Sequence, residues 1–271
     1  MSKRANITLV IIAVMLLIFV AIPVLWALRL SLGNTFSASA SIIPNEIQFQ
    51  NYKTLFFSTK FPRWLLNSFI FAGSVTILNV IFAPPAGYVL ARERLPGSNF
   101  ILLGIVSAWI IPWLTVLIPF YVGMSKVGLV DTYAGLILPL AVTPISVFLS
   151  RQYISNIPEQ LDEVARLDGC SRIGTFLRII LPLSKPVILI VALMSFMQAW
   201  GNYIIPLVMV LSDSMKVLTV GIPSLARRGA VNWGVRSAAA IFGILPMILL
   251  FTALNNYFME GLALRTGTEQ K

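Results

Sequence analysis

The sequence predicts an all-α polytopic membrane protein with six transmembrane helices, and two observations carry that prediction. Hydrophobic residues fill 58% of the 271 positions and charged residues only 11%, against about 25% charged in a soluble domain. The apolar residues also gather in long blocks, and a bilayer-spanning helix needs roughly 20 mostly apolar residues. The blocks place spans near 7–32, 65–90, 99–124, 133–151, 187–211 and 237–259, within one transmembrane domain covering 1–271.

Taken in order, Lys3 and Arg4 precede an apolar run from Ile7 to Leu28. That run is too long for a signal peptide and no clear small-x-small cleavage site follows it, so it reads as a retained first span. The connections are short, except 33–64 and 212–236 on one side and 152–186 on the other. An even number of spans puts both termini on one side. Basic residues divide almost evenly between the two sides. The Lys3-Arg4 start and the short turn Arg92-Glu93-Arg94 favour termini inside, because short flanking segments weigh most. Prolines within the spans, among them Pro84, Pro85, Pro112, Pro139 and Pro206, predict local kinks.

Composition also removes function classes. There is no histidine, so His-based acid–base chemistry and His metal ligands are absent. Cys170 is the single cysteine. No Asp, Glu, Lys or Arg lies deep inside a span. Intramembrane charges mark proton relays and ion sites, and their absence argues against an ion-coupled carrier. The chain lacks the phosphate-binding G-x-x-x-x-G-K-[ST] pattern, so transport energy is expected from a separate ATPase. The formal charge of +10 fits basic residues that flank spans and meet anionic headgroups of the lipid bilayer, not nucleic acid.

The segment 155–186 is patterned as two short helices between spans. Pro158 suits a first turn, and Glu159, Asp162 and Glu163 sit where a helix dipole favours negative charge. Leu161, Val164, Ala165 and Asp168 follow i, i+3, i+4, i+7 spacing; Gly169 then ends the helix. Ser171 caps a second helix, whose Ile173, Phe176, Leu177 and Ile180 fall on one stripe closed by Pro182 and Pro186. On pattern alone this is an amphipathic hairpin lying on the headgroups.

The order of residues adds a second reading. Glu163-Val164-Ala165, Asp168-Gly169, Ser171, Phe176, Ile179, Leu181-Pro182 and Pro186 resemble the EAA signature of ABC-importer permeases, with Val164 and Cys170 where alanine is usual. The resemblance extends over nearly the whole chain through Asn67-Ser68, Ala86-Gly87-Tyr88, Ala91-Arg92, Ile118-Pro119, Leu138-Pro139, Arg151-Gln152, Trp200, Asn202 and Pro206-Leu207. It is closest to the smaller permeases of the carbohydrate-uptake branch, similar to the maltose type. The family's adjacent Trp and Asn are here separated by Gly201, and its Gly-rich basic ending is altered to Ala263-Leu264-Arg265-Thr266-Gly267.

That resemblance implies a type I importer fold in a prokaryotic inner membrane with cytoplasmic termini. It implies a heterodimer with a second permease, and two copies of an ABC ATPase that bind the ATP and Mg²⁺, this chain binding neither. An extracytoplasmic solute-binding protein is the third partner. Glu163, Val164, Ala165, Asp168, Gly169, Ser171, Phe176, Leu181 and Pro182 become the expected ATPase-coupling residues.

Gln198, Trp200, Asn202 and Tyr203 are expected near the middle of span five, with Asn79 and Trp113 as further candidates for the substrate pathway. Aromatic rings stack on sugar C–H faces while amides bond hydroxyls; the alternative for each is hydrogen bonding between helices. Arg227, Arg228 and Trp233 in 212–236 either meet the binding protein or belong to a solvated re-entrant turn. The expected cargo is a sugar or oligosaccharide. Glycerol phosphate or another polyol derivative is the alternative, and a stand-alone channel or carrier a more distant one.

Overall fold

A computed structural model describes residues 3–33, 47–93, 96–228 and 232–266, the side chains of 3–8, 99, 227–228 and 254–266 excepted. Among the described residues every regular element is helical. The order is α1 Lys3–Leu32, α2 Gln50–Ser58, α3 Phe61–Arg92, α4 Ser98–Ile110, α5 Trp113–Lys126 and α6 Tyr133–Ile137. A 3₁₀ turn Leu138–Leu140 leads to α7 Pro144–Ile154, then α8 Gln160–Leu167 and α9 Arg172–Thr175. A π turn Phe176–Ile180 joins α9 to α10 Leu181–Leu183, followed by α11 Lys185–Trp200, α12 Ile204–Met209, α13 Leu218–Ser224 and α14 Trp233–Thr266.

Among the described residues four stretches are long and apolar enough to cross a membrane: Leu9–Leu32, Phe61–Arg92, Tyr133–Ile154 and Trp233–Ala253. Two bent pairs raise the number to six if each counts as one span. Phe100–Ile110 and Trp113–Lys126 meet at 96°, so the span expected over 99–124 is broken at Pro112, one of the prolines expected to kink it. Pro112 is the cause: it drives the residue before it out of helical geometry, and Ile111 sits at ψ 122. The second pair, Arg172–Leu183 and Lys185–Trp200, bends by 76° between Pro182 and Pro186. The expected span over 187–211 likewise stops at Trp200. There Asn202 accepts a hydrogen bond from the Ile205 N–H at 3.0 Å and opens α12, so Gly201 and Asn202 form a turn between two helices.

The 32-residue α3 is the axis of the bundle. Three buried clusters lie along it. At its N-terminal end Phe61, Trp64, Phe71 and Val75 pack with Leu55, Leu136, Trp200, Met209 and Ala238. Edge-on contacts of Phe56 and Phe61 with Phe242, at centroid distances of 5.1 and 5.8 Å, fix this cluster to α14. Midway, Ala83 packs with Val147, Val187 and Val191 of α7 and α11. At the C-terminal end Tyr88 packs with Ile154, Phe176 and Ile180. The Pro84-Pro85 pair removes two backbone donors from the helix, and close packing on α7 braces the region. A Cβ on Gly87 would lie 2.6 Å from the Arg151 nitrogen and from Ser150 Cβ, so only glycine allows this approach.

Asn79 mends the interruption of the fourth span. Its Nδ2 donates to Val75 O at 2.9 Å and Leu140 O at 2.7 Å, and its Oδ1 accepts from the Thr143 N–H at 2.9 Å and the Thr143 hydroxyl at 3.1 Å. Backbone groups freed by the 3₁₀ turn are thereby satisfied away from water, as a membrane interior demands.

Candidate functional site: the hairpin at the end of α3

Helix α8 begins after Glu159, with Asp162 and Glu163 in its first turn. It ends as glycine-terminated helices do. Gly169 takes φ +81, a left-handed geometry that side chains with a Cβ resist. The Cys170 N–H reaches back to Ala165 O at 2.9 Å and the Gly169 N–H to Arg166 O at 3.1 Å, closing the last carbonyls. Ser171 then caps α9, its hydroxyl oxygen accepting from the Gly174 N–H at 3.1 Å. Both signals were readable in the sequence.

The two faces of the hairpin differ sharply. On one, Ala165, Thr175, Phe176 and Ile180 are buried against the bundle. On the other, Leu161, Val164, Leu167, Ile173 and Leu177 face out, Leu167 with 87% of its surface open and Ile173 with 72%. The stripe expected for the second helix is therefore split: Phe176 and Ile180 turn in, Ile173 and Leu177 turn out. The π turn over Phe176–Ile180 is the reason, since it widens the helix and rotates residues away from a 3.6-residue register. On α8, of Leu161, Val164, Ala165 and Asp168, only Ala165 is buried, and the other three are exposed. Glu163, Asp168 and Ser171 are exposed, Leu181 is half-buried and Pro182 exposed.

The inward face also carries charge. Asp162 and Arg92 form an ion pair at 3.1 Å between Oδ2 and Nε, with side chains only 7% and 3% exposed; the two atoms attract as charges and are not aligned as a hydrogen bond. Tyr88 donates its hydroxyl to Asp162 Oδ1 at 3.0 Å, in a buried bond. Arg92 further donates to Ile157 O and lies 3.8 Å from Glu159. Next to it, Arg172 of α9 pairs with Glu93 at 2.8 Å, and the Tyr88 and Phe176 rings lie 5.2 Å apart. Sequence reading placed Asp162 only in the helix dipole. The signal that could have found its partners is the i, i+4 spacing of Tyr88 and Arg92, which puts both on one face at the end of α3.

The pathway candidates separate. Asn79 is fully buried, with its bonds made inside the chain. Trp200 ends α11, its indole donating to Gly243 O at 2.8 Å and its ring stacked on Phe196 at 5.4 Å. Asn202 Oδ1 is occupied by the Ile205 N–H in the first turn of α12. Gln198 and Tyr203 are exposed. Trp113 packs on Phe120 at 5.1 Å, and its indole N–H is buried with no partner among the described residues. The structure thus gathers the coupling candidates on one hairpin and does not gather the pathway candidates into one site. The side chains of Arg227 and Arg228 lie outside the described residues, as do those of the altered ending 263–267. Among the described residues no group of His, Cys, Asp or Glu is placed to hold a metal ion.

The opposite end of α3 is held differently. Trp64 donates to Asp213 O at 3.0 Å, and Asn67 Nδ2 donates to Ser214 O and Lys216 O, both at 2.8 Å. The Leu218 N–H donates to the Ser68 hydroxyl oxygen at 2.8 Å. Asp131 holds the neighbouring turn by accepting from the Leu211 and Ser212 N–H groups, each at 3.0 Å. Burial tends to raise its carboxyl pKa, but bonds from Ser212 and Leu211 outweigh that and hold it below the ordinary value. A hydrogen bond from Lys216, opposed by burial and aided by Lys60, likewise keeps Asp213 low.

Known proteins share this layout. Residues 83–262, from the last turns of α3 into α14, match the family model described as binding-protein-dependent transport system inner membrane component. The arabinooligosaccharides transport system permease protein AraQ of Bacillus subtilis (strain 168) is 32% identical over 222 residues, 82% of this chain and 79% of that protein. The melibiose/raffinose/stachyose import permease protein MelC of the same organism is 32% identical over 229 residues, 83% of each chain. The crystal structure of a bacterial ABC transporter involved in the import of the acidic polysaccharide alginate shares the fold, with a TM-score of 0.82 and 22% identity over 95% of this chain and 99% of that one. This chain is therefore a non-catalytic, multi-pass transport subunit that belongs to the family of inner membrane components of binding-protein-dependent ABC importers.

Proposed function

We propose that this chain is one permease of a sugar or oligosaccharide importer, and that its 160–183 hairpin is the cytoplasmic element gripped by an ABC ATPase. The observation that carries this reading is the apolar foot of Leu161, Val164, Leu167, Ile173 and Leu177 left open on a hairpin whose other face is buried and ion-paired. Exposed apolar residues gathered on one small element mark a protein contact. Glu163 stands beside that foot as a charge for a basic residue of the ATPase, and Gly169 supplies the sharp exit. Asp168, Ser171, Phe176, Leu181 and Pro182 shape the hairpin around it.

The topology that goes with this is six spans with both termini cytoplasmic, each bent pair crossing once, in one domain over 1–271. Contacts at the ends of α3 support it. The C-terminal end touches the hairpin that follows α7, and the N-terminal end touches the segment between α12 and α14. Alternating spans require those two connections to be on opposite sides. The full assembly is then a heterodimer with a second permease, two ATPase copies that bind ATP and Mg²⁺, and a solute-binding protein. The sugar cargo is supported by the two B. subtilis relatives, whose names refer to oligosaccharides. Of the pathway candidates, exposed Gln198 and Tyr203 remain available to line a path shared with the second permease.

The test is uptake by the reconstituted complex. Replacing Gly169 by leucine forces a Cβ into left-handed geometry, at roughly 1–2 kcal/mol, and Glu163→Ala removes the charge. Both variants are expected to insert normally and to lose most uptake. Wild-type uptake in both would sink the assignment of the hairpin.

A further inference from the structure

We infer that the Arg92–Asp162 pair is a latch that ties the docking hairpin to α3, so that α3 carries the hairpin's movement to the opposite side of the membrane. This rests on the docking reading above and adds residues and a route that it lacks.

The hairpin has few stiff attachments. It leaves α7 through the turn 155–159 and joins α11 across the 76° bend at Ser184. Its tight noncovalent hold is on α3. Asp162 faces away from the outward Leu161 and Val164, into Arg92 Nε and the Tyr88 hydroxyl at 3.1 and 3.0 Å. Arg92 reaches past it to Ile157 O, in the turn that precedes α8. Arg172–Glu93 at 2.8 Å adds a second pair on α9. A buried ion pair contributes little net stability against an apolar pair of the same shape, but it fixes registry, because any shift strands a charge in a dry site. That property suits a joint that must move as one piece.

The route continues along α3. At about 1.5 Å per residue, its 32 residues span a bilayer as one helix. Trp64, Asn67 and Ser68 then bind 213–218 directly. A displacement of the hairpin thus reaches the segment between α12 and α14 through a single helix. Arg92, Asp162 and Tyr88 are positioning residues, because they touch neither ATP nor cargo.

The experiment measures cargo taken up per ATP hydrolysed by the reconstituted complex of both permeases, the ATPase and the binding protein. Arg92→Gln and Asp162→Asn each strand one charge, and each is expected to lower the ratio about ten-fold while the ATPase still copurifies. The double variant strands none and is expected to be no worse than the poorer single variant, the mark of one shared interaction. Tyr88→Phe keeps the pair and drops one bond; a two- to three-fold fall is expected, smaller than in the charge variants because the ion pair survives. This variant decides the matter should the charge variants not assemble. An unchanged ratio in Tyr88→Phe, or a double variant whose loss is the product of the single losses, would overturn the latch. Failure of the wild-type hairpin to hold the ATPase would instead remove the docking reading, and the latch with it.

Discussion

The two ends of α3 are clamped by different chemistry. At the C-terminal end the clamp is ionic, Arg92 with Asp162 and Arg172 with Glu93, and the clamped hairpin keeps an apolar face open. At the N-terminal end the buried part of the clamp is made of neutral side chains aimed at backbone carbonyls and amides, with Trp64, Asn67 and Ser68 holding 213–218, and an ion pair to that segment, Lys60 with Asp213 at 3.3 Å, lies at the exposed rim. Neutral bonds to backbone fix a loop's path. Ion pairs fix one rigid element against another and leave its far face free for a partner. On the proposed reading the C-terminal end is the one that moves as a unit, and four changes test the contrast.

The largest effect is expected midway between the ends. Gly87→Ala forces a Cβ against the Ser150–Arg151 backbone of α7. The cost is about 3 kcal/mol, read as a lower unfolding temperature in detergent, and both clamps should loosen together. A stable Gly87→Ala protein would mean that α3 does not rest on α7. Next is Asn67→Ala, which removes a donor from the part-buried Ser214 and Lys216 carbonyls and the acceptor of the Tyr133 hydroxyl, at about 2 kcal/mol. Amide exchange should then rise over 213–218 and stay constant over 160–177; an equal rise in both would erase the contrast between the ends.

How much of this was legible in the sequence follows the same division. Gly169 and Ser171 were readable because their roles are local: a left-handed stop and a cap each involve a few neighbouring residues. Long apolar runs were readable for a similar reason, and the break at Pro112 was implicit in that proline. Asp162 and Arg92 meet across the fold, and spacing along one helix does not reveal a partner on another. Asn79 and Trp200 looked like pathway residues because an amide or indole in an apolar run looks the same whether it awaits a ligand or mends a broken helix. The split stripe on the second hairpin helix depended on a π turn, which no 3.6-residue pattern encodes.

A smaller effect concerns acidity. Asp131 and Asp213 have folded-state pKa values below their ordinary ones. For such groups the stabilisation is complete above the unfolded value of about 3.9 and is lost as pH falls through the folded value. Unfolding temperature should therefore hold steady down to about pH 5 and decline below about pH 4, and the decline should be shallower in Asp131→Asn with Asp213→Asn. An equally steep decline in that variant would detach the turn at the N-terminal end from this acid sensitivity. The smallest effect on stability is expected at Leu167. With its side chain open, Leu167→Ala should change stability by no more than about 0.5 kcal/mol yet weaken ATPase binding about ten-fold, as loss of a contact anchor does. Unchanged affinity would mean that Leu167 is not part of the foot.

Hydrogen–deuterium exchange of the permease in lipid nanodiscs, with and without its ATPase, tests the central claim most directly. The account predicts that ATPase binding slows exchange over 160–177, where the apolar foot lies. Unaltered exchange over 160–177 in an assembled complex would contradict it.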